Sequence, residues 1–328
     1  MRKQVVAFGR ELPESLVESL RKEFDVTMIS QPETDREAFA QAIRSAHGLI
    51  GASFKLGPEL LDAARDLEII SAISAGYDNY DVDYLSRRGI LLTNTPGAVT
   101  EATADTGFAL LMATARRVVE LAEYVKQGRW QQSIGRDFFG RDVHGKRLGI
   151  IGFGRIGQAI ARRGHLGFDM KISYFNRSPK AEAEALKARF CSMDELLGEA
   201  DFVCVAVPLS AETEHLIGAR EFALMRPSAI FINIARGRVV DEKALISALQ
   251  QGQIRGAGLD VFEHEPLAID SPLLAMPNVV AIPHIGTATV EAREAMAEVA
   301  AKNLSAGLRG ERPADLVNPA VWEGRTGQ

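Results

Sequence analysis

The chain has 328 residues, 46% of them hydrophobic and 25% charged, which excludes a disordered or fibrous protein and leaves room for two cored domains. Its 38 Lys and Arg against 43 Asp and Glu give a net charge of -5; with no Lys/Arg-rich run, neither a nucleic-acid nor a membrane-surface partner is expected. Two cysteines, Cys191 and Cys204, are too few for a disulfide framework, no Cys/His spacing suggests a metal site, and no apolar run approaches a membrane span, so a reducing, cytoplasmic setting is expected.

In chain order, the apolar run after the basic start stops at Phe8 with no cleavage site beyond it, so it reads as a first strand, Gln4 to Phe8, and not a signal peptide. Further β-branched runs predict strands at Gly48 to Gly51, Glu68 to Ile73, Ile90 to Thr93, Arg147 to Gly152 and Lys171 to Phe175. The series continues at Phe202 to Val207, Ala229 to Ile234, Gly256 to Val261 and Asn278 to Ile282. Strands apolar on both faces are those of parallel sheets covered by helices, and parallel pairs need helical crossovers. The expected architecture is therefore α/β, two doubly wound parallel-sheet domains.

Glu101 to Gln127 interrupts the rhythm: Thr100 suits an N-cap and Gly128 a helix end. One long helix with Ala, Leu and Val on more than one side is expected there, joining two domains or two subunits. A second helix, Val290 to Leu308, is expected to return to the first domain. That gives a discontinuous substrate-binding domain, 1–99 and 289–328, around an NAD(P)-binding domain, 100–288.

Within the second domain, Gly152-Phe153-Gly154-Arg155-Ile156-Gly157 joins a strand to a helix. Gly152 permits the turn, Gly154 lets the backbone approach a pyrophosphate, and Gly157 allows close helix packing, while Arg155 and Ile156 open a helix whose free N–H groups face the phosphates. One G-x-G-x-x-G alone is weak, but the next strand ends at the spacing a dinucleotide fold requires. Where an acid would bind the ribose hydroxyls stand Asn176, Arg177 and Ser178, followed by Pro179 and Lys180. A carboxylate there would repel a 2′-phosphate, whereas Arg177 and Ser178 can bind one, so NADP(H) is the expected cofactor, with NAD(H) possible.

Three more polar turns follow strands on the same expected edge: Arg236-Gly237, Asp260 through Glu265-Pro266, and Pro283-His284-Ile285-Gly286. Singly, each has a bland reading as an ion pair, a solvated acid or a surface histidine. Together they supply a cation to orient a substrate acid, a proton donor, and a carboxylate that favours the donor's charged form.

GFGRIG, IARGRVVDEKAL, GLDVFEHEP and PHIGTAT together resemble the D-isomer-specific 2-hydroxyacid dehydrogenases. ISAISAGYDNYDVD and SPLLAMPNVVAIPHIGTAT are similar to the glyoxylate/hydroxypyruvate reductase (2-ketogluconate reductase) subgroup. The resemblance spans essentially the whole chain. It implies a Rossmann-type nucleotide domain with a flavodoxin-like substrate domain, and places catalytic roles on Arg236, Glu265 and His284. It also puts Asp260 on the nicotinamide side, with Val207, Pro208, Thr213, Ile234, Ala235 and Gly286 around the cofactor. Ser74, Ala75 and Gly76 match a loop whose N–H groups hold the substrate carboxylate, assisted by Arg236 and His284. Homodimers through the nucleotide domains are implied, with the loop Trp130 to Arg141 reaching toward a partner's cleft, where Phe138 or Arg136 limits substrate size.

The implied reaction is NADPH-dependent reduction of a small 2-keto acid (glyoxylate, hydroxypyruvate or 2-ketogluconate) to the D-2-hydroxy acid, His284 giving the proton. One alternative is 2-keto-6-phosphogluconate, whose phosphate would call on Lys55 and Arg136. Another is a dinucleotide-sensing corepressor, although the short tail from Glu323 to Gln328 lacks the long extension such proteins usually carry. Formate dehydrogenases carry Gln where this chain has Glu265, which counts against that activity.

Overall fold

Strands without polar alternation are stable only where helices cover both faces of their sheet. The computed structural model describes residues 2–9, 12–52 and 54–326. They form two such units, one from residues up to Val99 together with those from Ala288 onward, the other Thr100–Thr287. Residues 327 and 328, within the first expected domain, lie outside the described residues.

In the first unit, β1 (Gln4–Phe8), β2 (Asp25–Ile29), β3 (Gly48–Gly51), β4 (Ile69–Ala72) and β5 (Leu91–Thr93) are all parallel. Their order, β2-β1-β3-β4-β5, is the flavodoxin-like one. Phe8, Phe39, Leu49, Ile70 and Leu92 centre one apolar layer. The helix Val290–Leu308 belongs to the other face, where the buried Ser71 hydroxyl donates to Ala300 O at 2.8 Å.

In the second unit, β6 (Arg147–Ile151), β7 (Lys171–Phe175), β8 (Arg189–Phe190), β9 (Phe202–Val205), β10 (Ile230–Asn233), β11 (Gly256–Leu259) and β12 (Val279–Ala281) run parallel in the order β12-β11-β10-β9-β6-β7-β8. This is the Rossmann order with one strand added. The direction of winding reverses between β6 and β9, so their carboxyl ends flank the crevice where such sheets bind ligands. Phe222, Phe231 and Leu245 centre one apolar layer, and Phe153, Tyr174 and Ile232 the other.

Two strands escape the sequence reading, and one helix differs from it. β2 is a half-exposed edge and β8 a pair of exposed residues, so neither has the apolar run used to find its neighbours. The expected helix over 101–127 is two, Thr100–Arg116 and Val118–Lys126, broken at Arg117 with φ 55°. Thr100 is its first helical residue and not its cap, while Gly128, φ 69°, ends the second helix as expected. The first helix buries Phe108, Leu110 and Leu111 in its own unit, so its apolar content is core. Exposed apolar side chains belong instead to Val118, Val119 and Val125, and to Trp130, Ile134 and Phe139 beyond.

Candidate active site

β6 delivers the chain to Gly152, whose φ of 95° is a region L-residues rarely adopt and whose N–H donates to Phe175 O at 2.9 Å. A side chain there would strike Ala206 O and Val207 Cγ1, both at 2.7 Å. Gly157 has a different reason, because its Cβ would lie 2.2 Å from Gly152 O and push the helix Arg155–Arg162 off the strand. Between them, Gly154 caps that helix in an extended conformation with no side-chain acceptor, and the space beside it is open. Arg155 is exposed and Ile156 half-buried against the inner apolar layer. Free helix N–H groups facing open space at the switch point fit a pyrophosphate.

After β7 the chain turns at Asn176, whose Nδ2 donates to Ser178 O at 2.9 Å. Arg177, Ser178 and Lys180 are exposed. Arg177 also lies within electrostatic reach of Glu212, whose carboxyl is lowered first by the Ser210 hydroxyl, then by its own backbone N–H, and in smaller part by this guanidinium. After β9, Val207 lies beside the glycine loop. The Thr213 hydroxyl closes the next turn on itself, donating to Pro208 O at 2.6 Å and accepting the Ser210 N–H at 2.8 Å.

The polar turns after β10, β11 and β12 are wired together. His284 Nδ1 meets Glu265 Oε2 at 2.7 Å, and Glu265 Oε1 accepts the Phe262 N–H at 3.0 Å. Burial pushes the Glu265 carboxyl up, but the His284 hydrogen bond, the Phe262 N–H and the His284 and Arg236 charges outweigh it, so the net direction is down. His284 itself sits at φ 51°, a left-handed conformation uncommon for histidine, which aims its ring at Glu265. Asp260, almost fully buried, accepts the N–H groups of Ile285 and Gly286 at 2.6 and 2.8 Å. Burial raises its carboxyl, opposed by those donors and by the His284 charge. Asp260 thus fixes the loop that carries the histidine, a duty its sequence context does not disclose.

Sequence reasoning also missed Asn233. This buried residue ends β10, accepts the Ala235 N–H at 3.1 Å and donates to Arg236 O at 3.0 Å, clamping the turn that carries the arginine. An Asn closing an otherwise apolar strand was the available signal. Gly237 is there for close approach: a Cβ would lie 1.8 Å from both C and O of Phe262, so the arginine turn and the glutamate turn touch backbone to backbone. From outside, His215 Nε2 meets Glu263 Oε1 at 3.1 Å, and Glu263 N donates to Glu242 Oε2 at 3.1 Å. Ile234 and Ala235 are buried beside Arg236.

In the first unit, Ser74, Ala75 and Gly76 follow β4 with all three carbonyls engaged, by Thr95 N at 2.9 Å, Asn94 Nδ2 at 2.7 Å and Ser74 Oγ at 2.6 Å. Among the described residues none of their own N–H groups has an acceptor. Lys55 and Arg136, expected to hold a substrate phosphate, are exposed and belong to different units. The Phe138 ring lies 5.0 Å from that of Tyr124 and 5.6 Å from the Arg117 guanidinium.

Residues 108–286 match the family model described as D-isomer specific 2-hydroxyacid dehydrogenase, NAD binding domain. The chain is similar to glyoxylate/hydroxypyruvate reductase B of Escherichia fergusonii, 55% identical over 97% of this chain and 99% of that one. A solved protein from Thermus thermophilus superimposes with a TM-score of 0.89 at 42% identity, covering 95% of this chain and 99% of the other. An NADPH-dependent glyoxylate/hydroxypyruvate reductase from Sinorhizobium meliloti, solved with NADP and malonate, gives 0.87 at 33% identity over 98% of both chains.

Proposed function

The chain belongs to the D-isomer-specific 2-hydroxyacid dehydrogenase family, and from that premise we propose that it reduces small 2-keto acids, glyoxylate and hydroxypyruvate foremost, with NADPH. The observation that carries the reading is the 2.7 Å contact of His284 Nδ1 with Glu265 Oε2. It fixes the imidazole from one side and leaves Nε2 to serve as the proton donor.

The open space and the helix start at the glycine loop support a pyrophosphate at Gly152, Gly154, Arg155 and Ile156, with Gly157 allowing the approach. Val207, Pro208, Thr213, Ile234, Ala235, Asp260 and Gly286 are proposed to surround the rest of the dinucleotide. When bound, the dihydronicotinamide supplies a hydride to the keto carbon. The chain's own groups do the remainder. Arg236 presents a planar fork to the substrate's carboxylate or keto oxygen, which orients it and polarises the carbonyl. Ser74, Ala75 and Gly76 offer unengaged N–H groups suited to a carboxylate. His284 gives its proton to the developing alkoxide while Glu265, held ionised, stabilises the imidazolium before transfer.

NADPH is proposed over NADH because Arg177 is exposed beside Asn176, whose amide is turned to Ser178 O and which brings no negative charge. The finer range, 2-ketogluconate included, and a homodimer through the exposed apolar residues of 118–139 belong to the same proposal. Initial rates of NADPH and NADH oxidation with glyoxylate, hydroxypyruvate, 2-ketogluconate and its 6-phosphate test it. Turnover with the first two at the higher NADPH efficiency is the expected result, and absence of turnover with every keto acid would leave a dinucleotide-binding protein in its place.

A further inference from the structure

β7 ends in Tyr174 and Phe175, directly before the turn of Asn176, Arg177 and Ser178. Tyr174 is fully buried. Its ring stacks on that of Phe153, with centroids 4.2 Å apart and planes inclined by 27°, and Phe153 stands between Gly152 and Gly154 in the glycine loop. The Tyr174 hydroxyl serves the next segment instead, accepting the Lys180 N–H at 2.9 Å. One side chain therefore touches both parts of the proposed coenzyme site, the glycine loop through its ring and the turn 176–180 through its oxygen.

Packing accounts for the ring and leaves the oxygen to be explained. A phenylalanine would fill the same space beside Phe153, and burying a hydroxyl costs free energy unless it is hydrogen-bonded. The bond it makes closes a loop from residue 174 to residue 180, with Arg177 and Ser178 between the two ends. Inside that loop, Asn176 Nδ2 donates to Ser178 O at 2.9 Å. Beyond it, Lys180 caps the short helical turn Ala181–Leu186, its carbonyl accepting the Ala183 N–H at 3.2 Å. Arg177 and Ser178 are themselves exposed, so their place is set by the backbone at the ends of the loop. A guanidinium whose backbone is fixed before its ligand arrives loses less entropy on pairing than one carried by a free loop.

We propose that Tyr174 is a positioning residue for coenzyme selection: its hydroxyl holds Lys180, and with it the Arg177 turn, in register with the glycine loop, so that the 2′-phosphate and the pyrophosphate of one NADPH are met together. The inference rests on the reading of Arg177 as the 2′-phosphate ligand. NADH has no group for that turn to meet, so the hydroxyl matters to NADPH alone.

The test measures dissociation constants of NADPH and NADH by nicotinamide fluorescence at fixed ionic strength, in wild type, Tyr174→Phe, Arg177→Ala and the double variant. Tyr174→Phe keeps the stacked ring and is expected to weaken NADPH by about 3- to 10-fold, the scale of one net hydrogen bond, with NADH changed by less than about twofold. In the Arg177→Ala background the same change should cost NADPH less than about twofold, because the group being positioned is gone. If Tyr174→Phe leaves the ratio of the two constants at its wild-type value, whether neither coenzyme weakens or both weaken alike, the proposal is overturned. A full further loss of NADPH affinity in the double variant overturns it too, since the hydroxyl would then act on something other than Arg177. Selective weakening of NADPH by Arg177→Ala would let the 2′-phosphate reading survive either failure; without that weakening, both fall together.

Discussion

His284 and Glu265 divide one task between two side chains, so removing each should fail differently. His284→Ala should lower kcat by roughly 10²- to 10⁴-fold while NADPH still binds, measured by turnover beside a fluorescence titration. Glu265→Gln keeps a hydrogen-bond acceptor for the ring but removes the negative charge, so the high-pH limb of its kcat/KM profile for keto-acid reduction should move to lower pH. Stability carries the same sign: a folded carboxyl lowered by its partners stabilises the native state above its unfolded pKa and loses that contribution as pH falls through its folded value. The wild-type advantage in Tm over Glu265→Gln should thus be present at neutral pH and fade on acidification through the carboxylate range; the partial exposure of the pair keeps it small. An advantage that grows on acidification would reverse the assignment. For the cofactor, losing one charge-assisted hydrogen bond costs about 1.5 to 3 kcal/mol, so Arg177→Ala should weaken NADPH selectively by roughly 10- to 100-fold. Asn176→Asp combined with it should reverse the kcat/KM ratio of the two cofactors, and an unchanged ratio would remove this turn from 2′-phosphate recognition.

At the scale of elements, the site depends on turns with no slack between them. Gly237→Ala puts a methyl where Phe262 backbone already lies, so the arginine and glutamate turns must separate. The expected result is a loss of kcat beyond roughly 100-fold, larger than the effect on NADPH affinity, since the glycine loop after β6 is untouched; equal losses in both would mean general misfolding. Most of these turns were legible in the sequence because each follows an apolar strand and ends it with a charged or glycine residue. What was not legible is what fixes them. Asn233 and Asp260 act through backbone groups of other segments, and which backbone comes within 3 Å is a property of packing that no spacing encodes. The strand windows ran past several observed ends because Ile234 and Val261 stay buried after the last ladder bond, and burial was the signal being read. Edge strands β2 and β8 lacked that signal. The break at Arg117 has no Gly or Pro to announce it; its guanidinium is instead spent on Glu120 and Asp137 O.

Across the whole molecule, the glycine loop and the Arg236, Glu265 and His284 turns all belong to the unit Thr100–Thr287. NADPH at 100 times its Kd should therefore stabilise the protein by about 2.7 kcal/mol, with the added protection from hydrogen exchange falling on the segments after β6 and β7. Protection confined to the first unit would contradict the placement of the coenzyme. No helix among the described residues is long and apolar enough to cross a membrane. The helix Val290–Leu308, whose Ala300 carbonyl receives the buried Ser71 hydroxyl, starts about 200 residues beyond the end of β5, the last strand of its own unit. On a ribosome the two cannot meet in order of synthesis. At about 5 to 20 residues per second, β1 to β5 wait on the order of 10 to 40 seconds for the helix that covers them, while the inserted unit is completed first. The nascent chain is then a finished coenzyme-binding body trailing an uncovered sheet, and it is during this interval, before the mature protein exists, that a chaperone would find most to hold.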